Sequence, residues 1–114
     1  MKEYKFRISK ISSFVGDKKT ESYYYIEFYK GKWQGWQFRD REGRFTKNIK
    51  HAKSWEILSE DVYKNFSISQ KEMADCGRYW EGITKKGLVE ICRRIASDMG
   101  AERYVIEERE EVSF

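Results

Sequence analysis

The chain has 114 residues, 17% of them aromatic and 37% charged, and a formal net charge of +4. This length accommodates one hydrophobic core, and the aromatic content excludes a disordered chain. No apolar run approaches the roughly 20 residues of a membrane span, and the N-terminus lacks the apolar stretch of a secretory signal. We therefore predict a single domain over residues 1–114 that is cytoplasmic and does not associate with membranes.

The first half of the chain predicts an antiparallel meander of strands. Apolar and polar residues alternate from Tyr4 to Ile8, which is typical of a half-buried strand. The alternation slips at Lys10–Ile11, where we predict a β-bulge that shifts the register before Phe14. The second strand is predicted over Tyr23–Lys30, and the third strand contains Trp33, Trp36 and Phe38. Residues 40–43 predict a hairpin turn after it.

The middle of the chain changes from strand signals to helix signals. Residues 48–58 predict a turn followed by a short strand. Ser59, followed by two acidic residues, predicts the N-cap of a short helix that runs to Phe66. A capping box over Ser69–Glu72 predicts a second helix that ends near Gly82.

The last helix has the clearest pattern in the sequence. Thr84 is its predicted N-cap, and Gly100 is the glycine expected just after its end. One apolar stripe indicates a buried face, formed by Leu88, Ile91, Cys92, Ile95 and Met99. A closing strand is predicted over Arg103–Glu108, with a charged tail after it. This order predicts an α+β fold: an antiparallel sheet, made of the N-terminal meander and the C-terminal strand, with two to three helices packed on one face.

Aromatic residues occupy both alternating positions of the strand at 23–30. In a strand, successive side chains point to opposite faces. One face is formed by Tyr24, Ile26 and Phe28, and the other by Tyr23, Tyr25 and Tyr29. Because a small domain has one core, we predict that one of these faces stays at the surface.

The residues that usually carry catalysis are few and scattered. His51, Cys76 and Cys92 lack the local pairing of a zinc site and the acid that orients a Cys–His pair. Both cysteines are predicted to be packed, reduced thiols on apolar helical faces. The glutamates at 107–111 are interpreted as a solvated tail, and no glycine-rich phosphate loop is present. We predict no enzymatic activity, no catalytic residue, no metal and no cofactor.

The aromatic region instead indicates binding. Tyrosine and tryptophan offer large contact areas at low cost in side-chain entropy, and arginine accompanies them in protein interfaces. The candidate partner contacts are Tyr23, Tyr25, Tyr29, Trp33, Trp36, Arg39 and Arg41. The leading hypothesis is a module that docks this surface onto a partner protein, such as a nucleic-acid-handling complex whose substrate channel it would occlude.

A second function fits the same region, namely direct nucleic-acid binding. Basic and aromatic residues interleave from Lys30 to Arg44, and single-strand binders use cations to track phosphates and rings to stack on bases. Residues 70–77 also resemble the opening of a helix-turn-helix motif. The turn glycine, Gly77, comes one residue too soon after Ala74, and residues 78–82 make a poor recognition helix.

Two segments, Arg44–Lys53 and Thr84–Glu108, resemble the small accessory proteins encoded by phages and mobile elements. Residues 59–83 look like an insertion relative to that layout. Some members of this group, including anti-CRISPR proteins, block host defence complexes by stoichiometric binding. The resemblance implies a similar inhibitory role and assigns no site residue.

Overall fold

The computed structural model describes the backbone of residues 3–113, and the side chains of that range except at positions 14, 15, 19–21 and 113. Its regular elements are strands β1 (Glu3–Val15), β2 (Lys18–Tyr29), β3 (Trp36–Arg39) and β4 (Phe45–Thr46), a 3₁₀ turn (Ile49–His51), helices α1 (Glu60–Lys64), α2 (Ile68–Asp75) and α3 (Lys85–Asp98), and strand β5 (Arg103–Ser113). This arrangement confirms the predicted α+β class.

The described strands form one five-stranded sheet in the order β4-β3-β2-β1-β5. Neighbouring strands are antiparallel except β1 and β5, which are parallel. Their pairing begins with Glu3 opposite Arg103 and ends with Ser13 opposite Ser113. Between β1 and β5 the chain passes through the rest of the sheet and all three helices, so the last strand returns beside the first in the same direction. The sheet is therefore mixed rather than wholly antiparallel.

Helix α3 covers one face of the sheet. Its N-cap is Thr84, whose hydroxyl accepts a hydrogen bond from the Gly87 N–H at 3.1 Å, and Gly100 follows the helix with φ +71°, as predicted. The core cluster contains side chains from β1, β2, α3 and the loop before it: Phe6, Ile8, Ile26, Phe28, Ile83, Leu88, Cys92, Ile95 and Ala96.

The molecule is two layers thick. Its extents are 42 × 40 × 22 Å, and the shortest one corresponds to a sheet with a single layer of helices. Helix α2 contacts α3, and α3 contacts β1 and β5. The core residues of β1 and β2 all lie on the α3 side, which leaves the opposite face of the sheet without a helical cover in the described part of the chain.

The register shift predicted before Phe14 is present, but it lies between Ser13 and Phe14 and not at Lys10–Ile11. At Lys10–Ile11 strand β1 continues unbroken, with Lys10 opposite Tyr24 and Ile11 opposite Tyr23. The polarity pattern slips because the apolar core ends at Ile8. Beyond it the same face carries Lys10, whose ammonium lies 3.6 Å from a Glu110 carboxylate oxygen.

The predicted third strand is shorter than expected. Trp33 lies in a tight turn in which Lys30 donates to the Gly35 carbonyl at 2.8 Å, and β3 begins only at Trp36. Gly31 and Gly35 have φ values of +95° and +63°, which glycine adopts without strain. Residues 48–58, predicted as a turn and a short strand, form the 3₁₀ turn and isolated bridges, such as Tyr24–Trp55.

Three further sequence predictions need correction. The capping box of α2 uses Ser67 and Gln70 rather than Ser69 and Glu72, since Ser67 is the residue with extended backbone just before the helix. Helix α2 ends at Asp75, not near Gly82, because the chain turns away there toward the loop that reaches α3. Strand β5 extends to Ser113, since its backbone pairs with β1 along the whole length.

The two thiols differ in environment. Cys92 is fully buried on the inner face of α3, and burial raises the pKa of its thiol to about 12. Cys76 caps the end of α2 and is exposed, which corrects the prediction that both are packed. We expect a thiol reagent to label one cysteine of the native protein rapidly and the second only after unfolding. Mass spectrometry of the labelled peptide should identify Cys76, and a fast second label on the native protein would contradict this placement.

Candidate functional site

The face of the sheet opposite α3, called here the open face, carries a group of aromatic side chains. The register places Tyr29 opposite Trp36 and Glu27 opposite Phe38, so β2 and β3 contribute rings to the same side. The aromatic residues of the open face are Tyr23, Tyr25, Tyr29, Trp36 and Phe38. All five are partly exposed in the isolated chain, whereas Ile26 and Phe28 on the other face are buried.

The rings of the open face pack against one another across the strands. Tyr25 and Phe38 meet edge to face, with centroids 5.6 Å apart, and Tyr29 and Trp36 have centroids 5.3 Å apart. Burial, with a smaller contribution from Tyr23, raises the pKa of Tyr25 above its ordinary value. The rings of the open face are therefore held by their neighbours and partly open to solvent, which suits a preformed contact surface.

A buried carboxylate lies at the centre of the open face. Glu27 is only 3% exposed, and its two oxygens accept from Arg7 Nε and Nη2, each at 2.9 Å. Ser9 Oγ also donates to Glu27, and Arg109 Nη2 lies 3.5 Å from it. Burial opposes ionisation of Glu27, but the hydrogen bonds from Arg7 and Ser9 and the nearby arginine charges outweigh it, so the pKa of this carboxyl lies below its ordinary value.

Arg7 connects this carboxylate to the aromatic group. Its guanidinium carbon lies 4.2 Å from the centroid of the Trp36 ring while its nitrogens bind Glu27. Lys5 Nζ similarly lies 5.8 Å from the Tyr29 ring. These cation–π contacts fix the ring positions and the charge positions together. Sequence analysis missed Arg7 and Glu27, because only the strand register shows that they face each other.

Positive and negative charges nearly balance on the open face. Among its described side chains, the register puts five cations and four anions on this side: Lys5, Arg7, Lys18, Arg103 and Arg109 against Glu3, Glu27, Glu107 and Glu111. Several are paired directly, and Arg109 lies 3.2 Å from Glu111 as well as close to Glu27. The open face thus presents rings among compensated charges rather than a positive field.

The structure brings together four of the candidate contacts and separates three. Tyr23, Tyr25, Tyr29 and Trp36 share the open face. Arg39 lies on the other side of the sheet, where its guanidinium donates to the Gly43 carbonyl at 3.0 Å. Arg41 is exposed in the β3–β4 turn, and Trp33, 95% exposed, projects from the β2–β3 turn.

The basic residues of the β2–β4 region cluster away from the tyrosines. Lys30 Nζ and the Arg39 guanidinium both lie within 6 Å of the Phe45 ring, at 5.2 Å and 5.9 Å. Phe45 packs on Phe28 in the core layer, with centroids 5.1 Å apart. Cations and rings that interleave in the sequence therefore occupy different faces of the folded sheet.

Among the described residues, no group of three or more His, Cys, Asp or Glu side chains could hold a metal ion. His51 is exposed on the 3₁₀ turn, whereas the Cys92 thiol is buried and protonated. Helix α2 is followed by an irregular connection over residues 76–84, longer than the three to four residues of a helix-turn-helix, so residues 70–77 do not form that motif.

Comparisons of the chain with protein-family models, curated proteins and solved structures found no match. No helix among the described residues has the length and apolar character needed to cross a membrane.

Proposed function

We propose that the protein is a non-enzymatic, cytoplasmic protein-binding module that docks its open face onto a partner protein. The observation that carries this proposal is an uncovered sheet face whose aromatic side chains are ordered by mutual packing and by Arg7. Aromatic and arginine side chains are the groups that contribute most to protein interfaces. Because the surface is preformed, little entropy is lost in ordering it on binding.

Charge favours a protein over a nucleic acid as the partner. A nucleic-acid site needs uncompensated cations to displace the counterions of the phosphates. On the open face Arg7 and Arg109 are paired with carboxylates, and Lys30 and Arg39 lie on the other side of the sheet, beside Phe45. Direct nucleic-acid binding is retained as the second hypothesis, and it would require contacts from both faces at the β3–β4 end.

The resemblance to phage and mobile-element accessory proteins suggests what the partner is. Inhibitors of that type act by stoichiometric binding to a host defence effector, and such effectors handle nucleic acids. We propose that the open face covers such an effector near its substrate channel. The candidate contacts are the face residues Tyr23, Tyr25, Tyr29 and Trp36, with Trp33 and Arg41 at the adjoining turns. Arg39 lies on the opposite side of the sheet and is not one of these contacts.

Alanine at Tyr25 or Trp36 should abolish capture of the partner from an extract of the source cells. Each substitution removes a ring from the middle of the open face, where interface residues contribute most. We expect the free energy of unfolding to fall by only about 1–2 kcal/mol, since both rings are partly exposed. Affinity capture with mass spectrometry measures the binding, and thermal unfolding measures the stability.

Ile68→Ala is the control, because Ile68 is 79% exposed at the start of α2, which packs on α3 at the other side of the sheet. A protein captured by the wild type and by Ile68→Ala, but not by the two face variants, supports the proposal. Equal capture by all variants would contradict the proposal that the open face binds the partner. Fluorescence-anisotropy titrations with single- and double-stranded oligonucleotides at two salt concentrations test the second hypothesis, which requires binding that weakens steeply with salt.

A further inference from the structure

Strand β5 forms one edge of the sheet, and its outer side is unpaired in the described structure. It has eleven residues, and its inner side pairs with β1 along the whole length. An exposed edge of this length is a template for another strand, and proteins usually protect it by shortening or bulging it or by giving it charges that repel a partner. Six of the eleven residues of β5 are charged, so a second strand can pair there only in a register that brings opposite charges together.

We infer that two copies of this chain associate through β5, which pairs antiparallel with β5 of the second copy. A two-fold axis perpendicular to the sheet would join the two sheets into one. In such a pairing, opposite residues must point to the same side, so the strands can shift only by two-residue steps. The register that pairs the whole of Arg103–Ser113 places Glu108 opposite Glu108 of the second copy.

In this full-length register the charges on the open-face side are complementary. Glu107 lies opposite Arg109 of the second copy, and the symmetry makes this pair twice. Within one chain, Arg109 Nη2 lies 3.2 Å from Glu111 and 3.5 Å from Glu27 on β2, so its guanidinium lies over the open face and must turn toward the strand edge to reach Glu107 of the second copy. Opposite charges directly across a strand pair stabilise the pairing.

On the helix side of the sheet the same register brings together apolar residues. Tyr104 lies opposite Val112 of the second copy, again twice. These side chains are 37% and 47% exposed in the single chain, which is high for apolar residues on a strand. Pairing of β5 with a second copy would remove part of this apolar surface from water.

One pair in this register is unfavourable, and the structure compensates for it. Glu108 meets Glu108 of the second copy at the centre, but Lys85 Nζ lies 2.8 Å from the Glu108 carboxylate within each chain. The shifted registers pair fewer residues of the strand. One places Arg109 opposite itself and Glu107 opposite Glu111. The other keeps two pairs of opposite charge, Arg103 with Glu111, but it places Glu107 opposite itself and separates Tyr104 from Val112.

Association by this edge would place the two open faces on the same side of one continuous sheet. A partner with two equivalent sites would then be bound twice, with a gain in avidity. The inference does not depend on the proposed function, since it concerns the edge of the sheet rather than its face.

Sedimentation equilibrium tests the association directly. The wild type should shift with concentration from the 13.8 kDa monomer toward twice that mass. Glu107→Arg puts arginine opposite Arg109 at both symmetric positions, so we expect its dissociation constant to rise at least about tenfold. Arg109→Glu should have the same effect, whereas an equal mixture of the two variants should recover association, because each then supplies the charge that the other lacks.

Cysteine cross-linking tests the register without a change at Arg109, because replacing Arg109 would also remove its ion pair with Glu27. In a Cys76→Ser background, Glu108→Cys should form a disulfide-linked dimer on mild oxidation, since the two 108 positions lie opposite each other. Glu110→Cys is the control, because its opposite residue is Ile106 and two 110 positions are too far apart to bridge. A mass that stays monomeric at all concentrations, or equal cross-linking of both variants, would overturn the inference.

Discussion

Replacing Glu27 with glutamine should lower the free energy of unfolding at neutral pH by about 2–4 kcal/mol. The carboxylate is 3% exposed and accepts from Arg7 and Ser9 with Arg109 close by, so its loss leaves two arginines without their shared counter-charge. The glutamine amide also has only one acceptor oxygen for the three donors. Chemical denaturation with linear extrapolation measures the change.

The same substitution should change how stability depends on pH. The pKa of Glu27 in the folded protein lies below its ordinary value, so the ionised carboxylate stabilises the fold. This contribution is complete above the pKa of the unfolded chain, about 4.3, and is lost as the pH falls through the folded-state pKa. Wild type and Glu27→Gln should therefore differ most at neutral pH and converge under acid conditions.

Glu102→Gln is a suitable control, because Glu102 is exposed in the turn before β5. Its unfolding free energy should stay within about 0.5 kcal/mol of wild type at neutral pH. If Glu27→Gln matched this control at every pH, the buried network of the open face would contribute nothing to the fold, and the placement of Arg7 against Trp36 would need another cause.

Local patterns were sufficient to predict the main elements. The stripe from Leu88 to Met99, between Thr84 and Gly100, predicted α3 with its cap and its buried face. Alternation along the strand predicted that Tyr23 and Tyr25 lie on the face opposite Ile26, although the pattern did not show which of the two faces is buried. These signals work because each depends on a short stretch of chain and on one period, 3.6 residues for a helix and two for a strand.

The remaining features depend on contacts between distant parts of the chain. The pairing of β5 with β1 in parallel joins residues about a hundred positions apart, and no local pattern encodes its direction. Glu27 looked like an ordinary polar strand residue until the register placed Arg7 and Ser9 beside it. Arg39 was grouped with the tyrosines because it is near them in sequence, but the register of β3 and β4 turns it toward Phe45.

Alanine at Gly87 should destabilise the protein by about 2–4 kcal/mol, although alanine is the better helix former. Gly87 lies in the first turn of α3, where α2 crosses closest. A methyl group there would press into the Ala74 carbonyl oxygen and lie 3.0 Å from the Gly77 nitrogen. Both atoms belong to the backbone, so relief requires α2 to move rather than a side chain to rotate.

Helix propensity predicts that Gly87→Ala raises the free energy of unfolding, whereas packing against α2 predicts that it lowers it. The measured change therefore decides between the two. Propensity alone would raise the free energy of unfolding by up to about 1 kcal/mol, as in an exposed helix. Ser97→Ala, at an exposed position of the same helix, should show that small gain. Displacement of α2 would also lengthen the 3.3 Å hydrogen bond from the Thr84 N–H to the Ala74 carbonyl, so Gly87→Ala should unfold at lower denaturant than wild type. A variant as stable as Ser97→Ala would mean that α2 and α3 do not approach so closely in solution.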